Sequence, residues 1–395
     1  MNKIFIVFLL ITTAIGCKTN TEKATAVTPV ETPAADGSAE PFLFTDQNGT
    51  TYLSWIEKHG EKSEFRFSRL MDGKWSASML IDSGSTWFVN WADYPMIATN
   101  GNQFVAHYLD KSGDGTYAYD VKLTSSSDGG SSWSKATVLH DDGKRAEHGF
   151  VSILPYDQNF FVAWLDGRNT AMEGMEHHEG HHGQMSLRAA VIDKEGKKLN
   201  EWELDNRTCD CCQTSAALTD NGPIVVYRDR SDDEIRDMSI VRFVNGAWTT
   251  PKPVYEDKWK IAGCPVNGPR VVANGNKVAV AWFSVPDNTS QVNVTFSDDG
   301  GKTFEKPIRV DEGKAVGRVD IVMLDDRSVY VIWMEGSTIK GAHVTKSGKQ
   351  SSMTIASSSE ARSGGFPQLT RSGNQLIFAW TDDSEKTIKT AIVSL

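Results

Sequence analysis

Apart from Cys17, every cysteine of this chain falls in two short stretches: Cys209, Cys211 and Cys212 in TCDCCQT, and Cys264 in AGCP. A histidine tract, AMEGMEHHEGHHGQM, precedes them and carries His177, His178, His181 and His182 flanked by Met172, Met175 and Met185; His148 stands alone upstream, after Glu147. Thiolate and thioether sulfur suit soft metal ions, and imidazole suits copper, zinc or nickel. A C-x-C-C spacing is compact enough for two or three sulfurs to reach one ion, with Cys264 completing the set. The expected chemistry is a soft or borderline metal site, copper first and zinc second, drawn from Cys209, Cys211, Cys212, Cys264, His177, His178, His181, His182 and His148. The competing expectation is a disulfide. Four cysteines allow three pairings, a vicinal Cys211–Cys212 bridge is strained, and a cross-loop bond to Cys264 is then preferred, with the histidine tract a solvated loop of adventitious metal affinity.

Residues this far apart need a frame that gathers them, and a repeat supplies it. A short apolar strand ending near an aromatic and an acid recurs at Tyr52-Leu53-Ser54-Trp55, at FVAHYLD ending on Asp110, at FVAWLD ending on Asp166 and at IVVYRD ending on Asp229. It returns at VAVAWFS around Trp282, at VYVIWME ending on Glu335 and at LIFAWTD ending on Asp382. Copies recur at roughly fifty residues, many after an Asn-Gly type turn that joins antiparallel strands tightly. Each is followed by further strand-like stretches and no amphipathic helix. Units of three or four short strands at this period predict an all-β propeller. Seven copies favour seven blades; six follow if one copy is misread. The last unit runs out near Ile392-Val393, so another part of the chain must complete it. Residues near Ala24 to Val30 are placed to do so, although Pro29 counts against a strand there.

Two turns fit S-x-D-x-G-x-[ST]-[WF]: Ser126 to Trp133, around Asp128, and Ser297 to Phe304, around Asp299. Asp accepts backbone N–H groups inside such a turn, and Gly allows positive φ. These turns resemble the Asp boxes (BNR repeats) of the bacterial sialidase superfamily, over roughly residues 41–395, and imply a sialidase-like propeller in which Asp128 and Asp299 are structural. The resemblance also implies where function sits. With strands A to D in each blade, Asp boxes between C and D mark the face away from the site. The loops joining D to the next A, and B to C, form the opposite face. Sialidases use an arginine cluster on a substrate carboxylate, a tyrosine nucleophile assisted by a glutamate, and an aspartate acid/base. On the predicted face Arg228, Arg270 and Arg318 are candidates for the first role and Asp93 for the last; Arg168, Arg230 and Arg362 also lie there. The family's Arg-Ile-Pro phrase is missing, since Asp93-Tyr94-Pro95-Met96-Ile97 occupies its place, and no tyrosine falls in a late loop of that face. A glycoside hydrolase acting on sialylated glycans is therefore the alternative to a metal-binding propeller. A third reading is a binding module for glycans or proteins, with Trp87, Trp91 and Trp259 offered for sugar stacking.

The N-terminus bears on compartment. Lys3, the apolar run 4–11 and small residues up to Gly16 read as a signal peptide, residues 1–16. Cys17 after Gly16 resembles the lipobox of bacterial lipoproteins, which implies acylation of Cys17 and a cell-envelope protein tethered to a membrane. Residues 17–40, rich in Thr, Ala, Pro, Ser, Glu and Lys, are expected as a flexible tether, and 41–395 as a single propeller domain. The net charge is −10 and no Lys/Arg stripe occurs, which argues against nucleic acid as a partner. Twelve Trp and seventeen Phe suit strands with large inward side chains.

Overall fold

A computed structural model describes residues 26–170 and 183–395. The signal peptide at 1–16, Cys17 and the histidines 177, 178, 181 and 182 lie outside the described residues. The rest is seven antiparallel sheets, each built in chain order from its first strand outward. The first strands are Ser38–Thr45, Met96–Asn100, His148–Tyr156, Ser215–Thr219, Arg270–Asn274, Ala315–Asp325 and Gln368–Ser372. Each first strand touches the next around a ring, and residues from all seven line one axial cavity of about 280 Å³. The molecule is an all-β propeller of seven blades.

The recurring aromatic–acid phrase has a concrete cause. On a strand, residues two apart share a face, so a Trp can hand its indole N–H to an acid two positions on. Trp55 donates to Glu57 Oε1 (2.8 Å), Trp164 to Asp166 Oδ2 (2.8 Å) and Trp333 to Glu335 Oε2 (2.7 Å). Trp282 lacks that acid and donates to Asp257 Oδ2 (2.6 Å) from a neighbouring loop. All four indoles are fully buried. Each buries a large apolar ring between blades while its one polar atom stays satisfied.

The two S-x-D-x-G turns join third to fourth strands. Asp299 Oδ1 accepts the Thr303 N–H (2.8 Å) and the Ser297 hydroxyl (2.8 Å), and Oδ2 accepts the Thr303 hydroxyl (2.6 Å). Asp128 repeats the pattern with Ser132 and Ser126. Glycines at the turn adopt φ of 68–85°, which other residues rarely hold.

The last blade closes as a composite. Gln368–Ser372, Gln375–Asp382 and Thr387–Ser394 come from the C-terminus, and Thr28–Val30 adds the outermost strand, pairing Thr28 with Ile392 and Val30 with Thr390. Pro29 is tolerated because an edge strand needs ladder bonds on one side only. The folded domain therefore starts before residue 41, and the tether expected over 17–40 does not extend through Thr28–Val30.

Candidate functional site

The loops entering the first strands meet over one end of the axis and lock together. Gln213 Nε2 donates to the Ala92 carbonyl (2.5 Å), while its Oε1 accepts the Gly268 N–H (2.9 Å). Asn267 Oδ1 accepts the Arg318 N–H (2.7 Å), and Trp91 stacks on Phe366 with centroids 5.6 Å apart. Three first strands begin with a bulge whose residue takes positive φ: Glu40 (53°), Phe150 (53°) and Arg318 (52°). Arg318 thus sits inside a strand rather than in the loop expected from the sequence.

Beside this roof the four cysteines converge. The ligand atoms of Cys209, Cys211 and Cys212 lie within 4.8 Å of one another. The Cys264 thiol, from the next blade's loop, lies near enough to that of Cys211 for the two to influence each other's protonation. All four are free. The Cys209–Cys212 sulfur separation of 3.3 Å is far from the ~2.05 Å of a disulfide and near the roughly 3.7 Å edge of a tetrahedral thiolate shell with ~2.3 Å bonds. Cys209 and Cys212 are buried, Cys211 is half-buried and Cys264 is exposed, so the nest opens to solvent on the Cys264 side. Hydrogen bonds from Cys211 and Cys212, with the Arg228 charge, hold the Cys209 thiol well below its usual range. Arg236 Nη1 adds a contact to Cys209 Sγ at 3.3 Å. Cys211, the donor, is pushed up, and Cys212 is raised by burial. The surroundings of Cys209 favour its thiolate, which is the nucleophilic and metal-binding form of cysteine.

An acid–phenol pair borders it, and sequence reasoning missed it. The Tyr119 hydroxyl donates to Glu147 Oε1 (2.7 Å). Burial lifts the Glu147 carboxyl to about 7, and nearby Asp210 and Cys209 push it the same way. The two residues lie 28 positions apart and no shared motif links them.

Other expected residues are placed differently. His148 does not face the sulfurs: Nδ1 meets the carbonyls of Ala146 (3.1 Å) and Tyr119 (3.3 Å), and Nε2 meets Asp142 Oδ2 (3.0 Å). Arg228 spends its guanidinium on the carbonyls of Asn267, Arg236 and Phe283 at 2.7–3.1 Å, over the Trp259 ring. Arg318 likewise donates to the carbonyls of Gly365, Glu360 and Ala361 at 2.9–3.1 Å. Neither leaves a fork for a substrate carboxylate; both are structural pins. Arg168 is taken by Asp166 and Glu201, and Arg230 by Glu234 and Asp210. Arg270 faces the axial cavity, 3.6 Å from Asp320. Asp93 is buried; Oδ1 accepts the Phe150 N–H (2.8 Å), Oδ2 has no partner, and burial holds the carboxyl well above its usual range. Trp259 is buried, and Trp87 and Trp91 are half-buried against Tyr108 and Phe366, so their faces are not open platforms. A larger concavity of about 750 Å³ lies at the outer edge near Thr28–Pro33 and Lys74–Ala77, away from this chemistry.

No family model and no curated protein matches the chain. Solved structures do. The polysaccharide lyase Uly1 aligns with TM-score 0.54 at 10% identity over 90% of each chain. The alpha-L-arabinofuranosidase arb93a from Fusarium graminearum aligns with TM-score 0.51 at 11% identity over 94% of this chain and 97% of that one. The Hadza microbial sialidase Hz136 aligns with TM-score 0.45 at 14% identity over 75% of this chain, which spans 63% of that sialidase. At such identities the likeness is one of fold: an all-β propeller of seven blades.

Proposed function

We propose that this chain is a cell-envelope lipoprotein, tethered to a bacterial membrane through Cys17, whose loop face binds a soft metal ion, copper first and zinc second, without sialidase activity. The observation that carries this reading is the clustering of the unbridged thiols of Cys209, Cys211 and Cys212, with Cys264 of the next blade's loop beside Cys211. A cluster rich in thiolate sulfur selects Cu(I) or Zn²⁺ over harder ions. Binding displaces the thiol protons, so affinity rises with pH. Met185, the last residue of the histidine tract, tethers that end of it to the nest: its carbonyl accepts the Thr208 N–H (3.0 Å), next to Cys209. That tether supports counting His177, His178, His181 and His182 as further ligands. Metal analysis of untagged protein is expected to give about one equivalent of copper or zinc more than the Cys211→Ser/Cys212→Ser variant carries. Equal, near-zero occupancy in both proteins overturns the reading.

A glycoside hydrolase is the second reading. It is supported by the carbohydrate-cleaving activities of fold neighbours, a polysaccharide lyase and an arabinofuranosidase, and by Arg270, whose charge faces the axial cavity. Turnover of a fluorogenic sialoside that disappears in Arg270→Ala favours it; no turnover at high protein concentration ends it.

A further inference from the structure

A second cluster lies at the junction of blades 2 and 3 and takes no part in the thiol nest. Its histidines bracket the loop that carries Glu147. The rings of His140 and His148 stack in parallel, 3.5 Å apart with a 4° interplanar angle. Three carboxylates face them. Asp142 Oδ2 is 3.0 Å from His148 Nε2 and 3.3 Å from His140 Nδ1; Asp120 Oδ1 is 3.4 Å from His140 Nε2; and Asp166 Oδ1 is 3.6 Å from His148 Nε2.

Two features point to a missing cation. First, His148 is oriented as metal-binding histidines are. Its Nδ1–H is directed at the Ala146 carbonyl (3.1 Å), which fixes the tautomer and leaves the Nε2 lone pair aimed at carboxylate oxygen. A lone pair facing a carboxylate is repulsive unless a positive charge stands between them. Second, the His140 side chain is 3% exposed, and neither of its ring nitrogens makes a hydrogen bond among the described residues. Buried polar atoms are seldom left so. The 3.0 and 3.3 Å separations of Asp142 Oδ2 from His148 Nε2 and His140 Nδ1 match the spacing of neighbouring donors around an ion with ~2.0–2.2 Å bonds, roughly 2.8–3.6 Å. Asp166 is already held by Arg168 and Trp164, so it supports the cluster rather than completing it.

We infer that His140 through Nδ1, His148 through Nε2 and Asp142 through Oδ2 form a second metal site, for a borderline divalent transition ion such as Zn²⁺, separate from the thiols, with Asp120 on the opposite nitrogen of His140 as its supporting carboxylate. Imidazole nitrogen with carboxylate oxygen is a donor set for that class and not for soft monovalent copper. The ion would pin the loop between His140 and His148, and with it Glu147 and its hydrogen bond to Tyr119.

The test uses the full chain with Cys209, Cys211, Cys212, Cys264, His177, His178, His181 and His182 all replaced by Ser, so that thiols and tract cannot contribute. Zn²⁺ titration by calorimetry is expected to show one equivalent bound, and Co²⁺ a visible spectrum without thiolate charge-transfer bands. Affinity is expected to fall at least about tenfold in His140→Ala and in the near-isosteric Asp120→Asn, with circular dichroism unchanged. No binding to a folded background protein, or binding untouched by both variants, overturns the site. The wild-type chain gives a readout that does not depend on that background folding. On Zn²⁺ addition, histidine ring ¹⁵N spectra are expected to show His148 Nε2 moving to a metal-bound shift while Nδ1 stays protonated. An Nε2 that keeps its proton at saturating Zn²⁺ shows that a proton fills the gap, and the site is then rejected. Failure here leaves the thiol reading standing, because the two sites share no ligand.

Discussion

At the scale of single residues, the molecule stores charge where burial makes it costly. Glu40 is the simplest case, lying outside both clusters. It sits on the positive-φ bulge of the first blade, 9% exposed, with Oε2 unpartnered. Burial pushes its carboxyl up from 4.5 to about 7, partly offset by Lys58. Between pH 4.5 and 7 the folded chain keeps a proton that the unfolded chain has released. The group therefore lowers stability as pH rises through that window, by up to roughly 3 kcal/mol, and the penalty is constant above it. Glu40→Gln removes the ionisation. Urea unfolding is expected to find the variant about 1–3 kcal/mol more stable than wild type at pH 8 and indistinguishable at pH 4.5. Equal stabilities at both pH values would show that Glu40 is solvated in solution. Glu147 is raised to about 7 by the same cause, so the variant keeps part of the wild-type slope. The arginines show what single residues conceal in a sequence. Arg228 and Arg318 have the side chain and the loop-face position of a carboxylate clamp, yet their partners are backbone carbonyls 8 to 55 residues away. Residue type cannot reveal an acceptor that every residue carries.

At the scale of elements, the strand carrying the aromatic–acid phrase was legible because its meaning is local. Trp333 and Glu335 are two apart on one face, and periodicity alone brings them together. What periodicity does not show is how much else the acid holds. Glu335 also accepts the backbone N–H groups of Glu312 (3.0 Å) and Lys314 from the preceding loop. Glu335→Ala therefore strands a buried indole N–H and two loop donors, which at about 1–3 kcal/mol per unsatisfied group is expected to cost about 3 kcal/mol by chemical denaturation. Glu335→Gln keeps an acceptor and is expected to cost about 1 kcal/mol. Equal losses in the two variants would mean that packing, not acceptance, sets the role of this position. The loops were legible in part. Assigning cysteines to neighbouring loops of one face followed from strand order; the thiols of Cys209, Cys211 and Cys212 cluster, with Cys264 beside Cys211. His148 was grouped with them because it shares that face. Its partners proved to be His140 and Asp142, a few residues upstream on its own loop, where the short spacing left room for a turn that sequence does not specify.

At the scale of the whole molecule, a ring is only as stable as its closure. Seven repeats were countable because each blade writes the same phrase. The joint was harder to read, since three residues with a proline at their centre carry almost no strand signal. Thr28–Val30 completes the last blade and covers the edge of Thr387–Ser394, with the Val30 carbonyl accepting the Thr390 hydroxyl (2.9 Å) and Gly37 N–H reaching the Lys386 carbonyl (2.8 Å). Val30 packs against a cluster that includes Leu43, Trp55 and Ile377, where the first and last blades meet. Removing residues up to Glu31 discards this short ladder and about one buried aliphatic side chain, a loss on the order of 2–4 kcal/mol. It also bares a strand edge able to pair with another chain. A chain starting at Thr32 is expected to unfold at a lower temperature than one starting at Ala26, and to self-associate in sedimentation velocity as concentration rises. If both chains melt together and stay monomeric, the ring is held by the contacts between neighbouring blades alone and the N-terminal strand is dispensable.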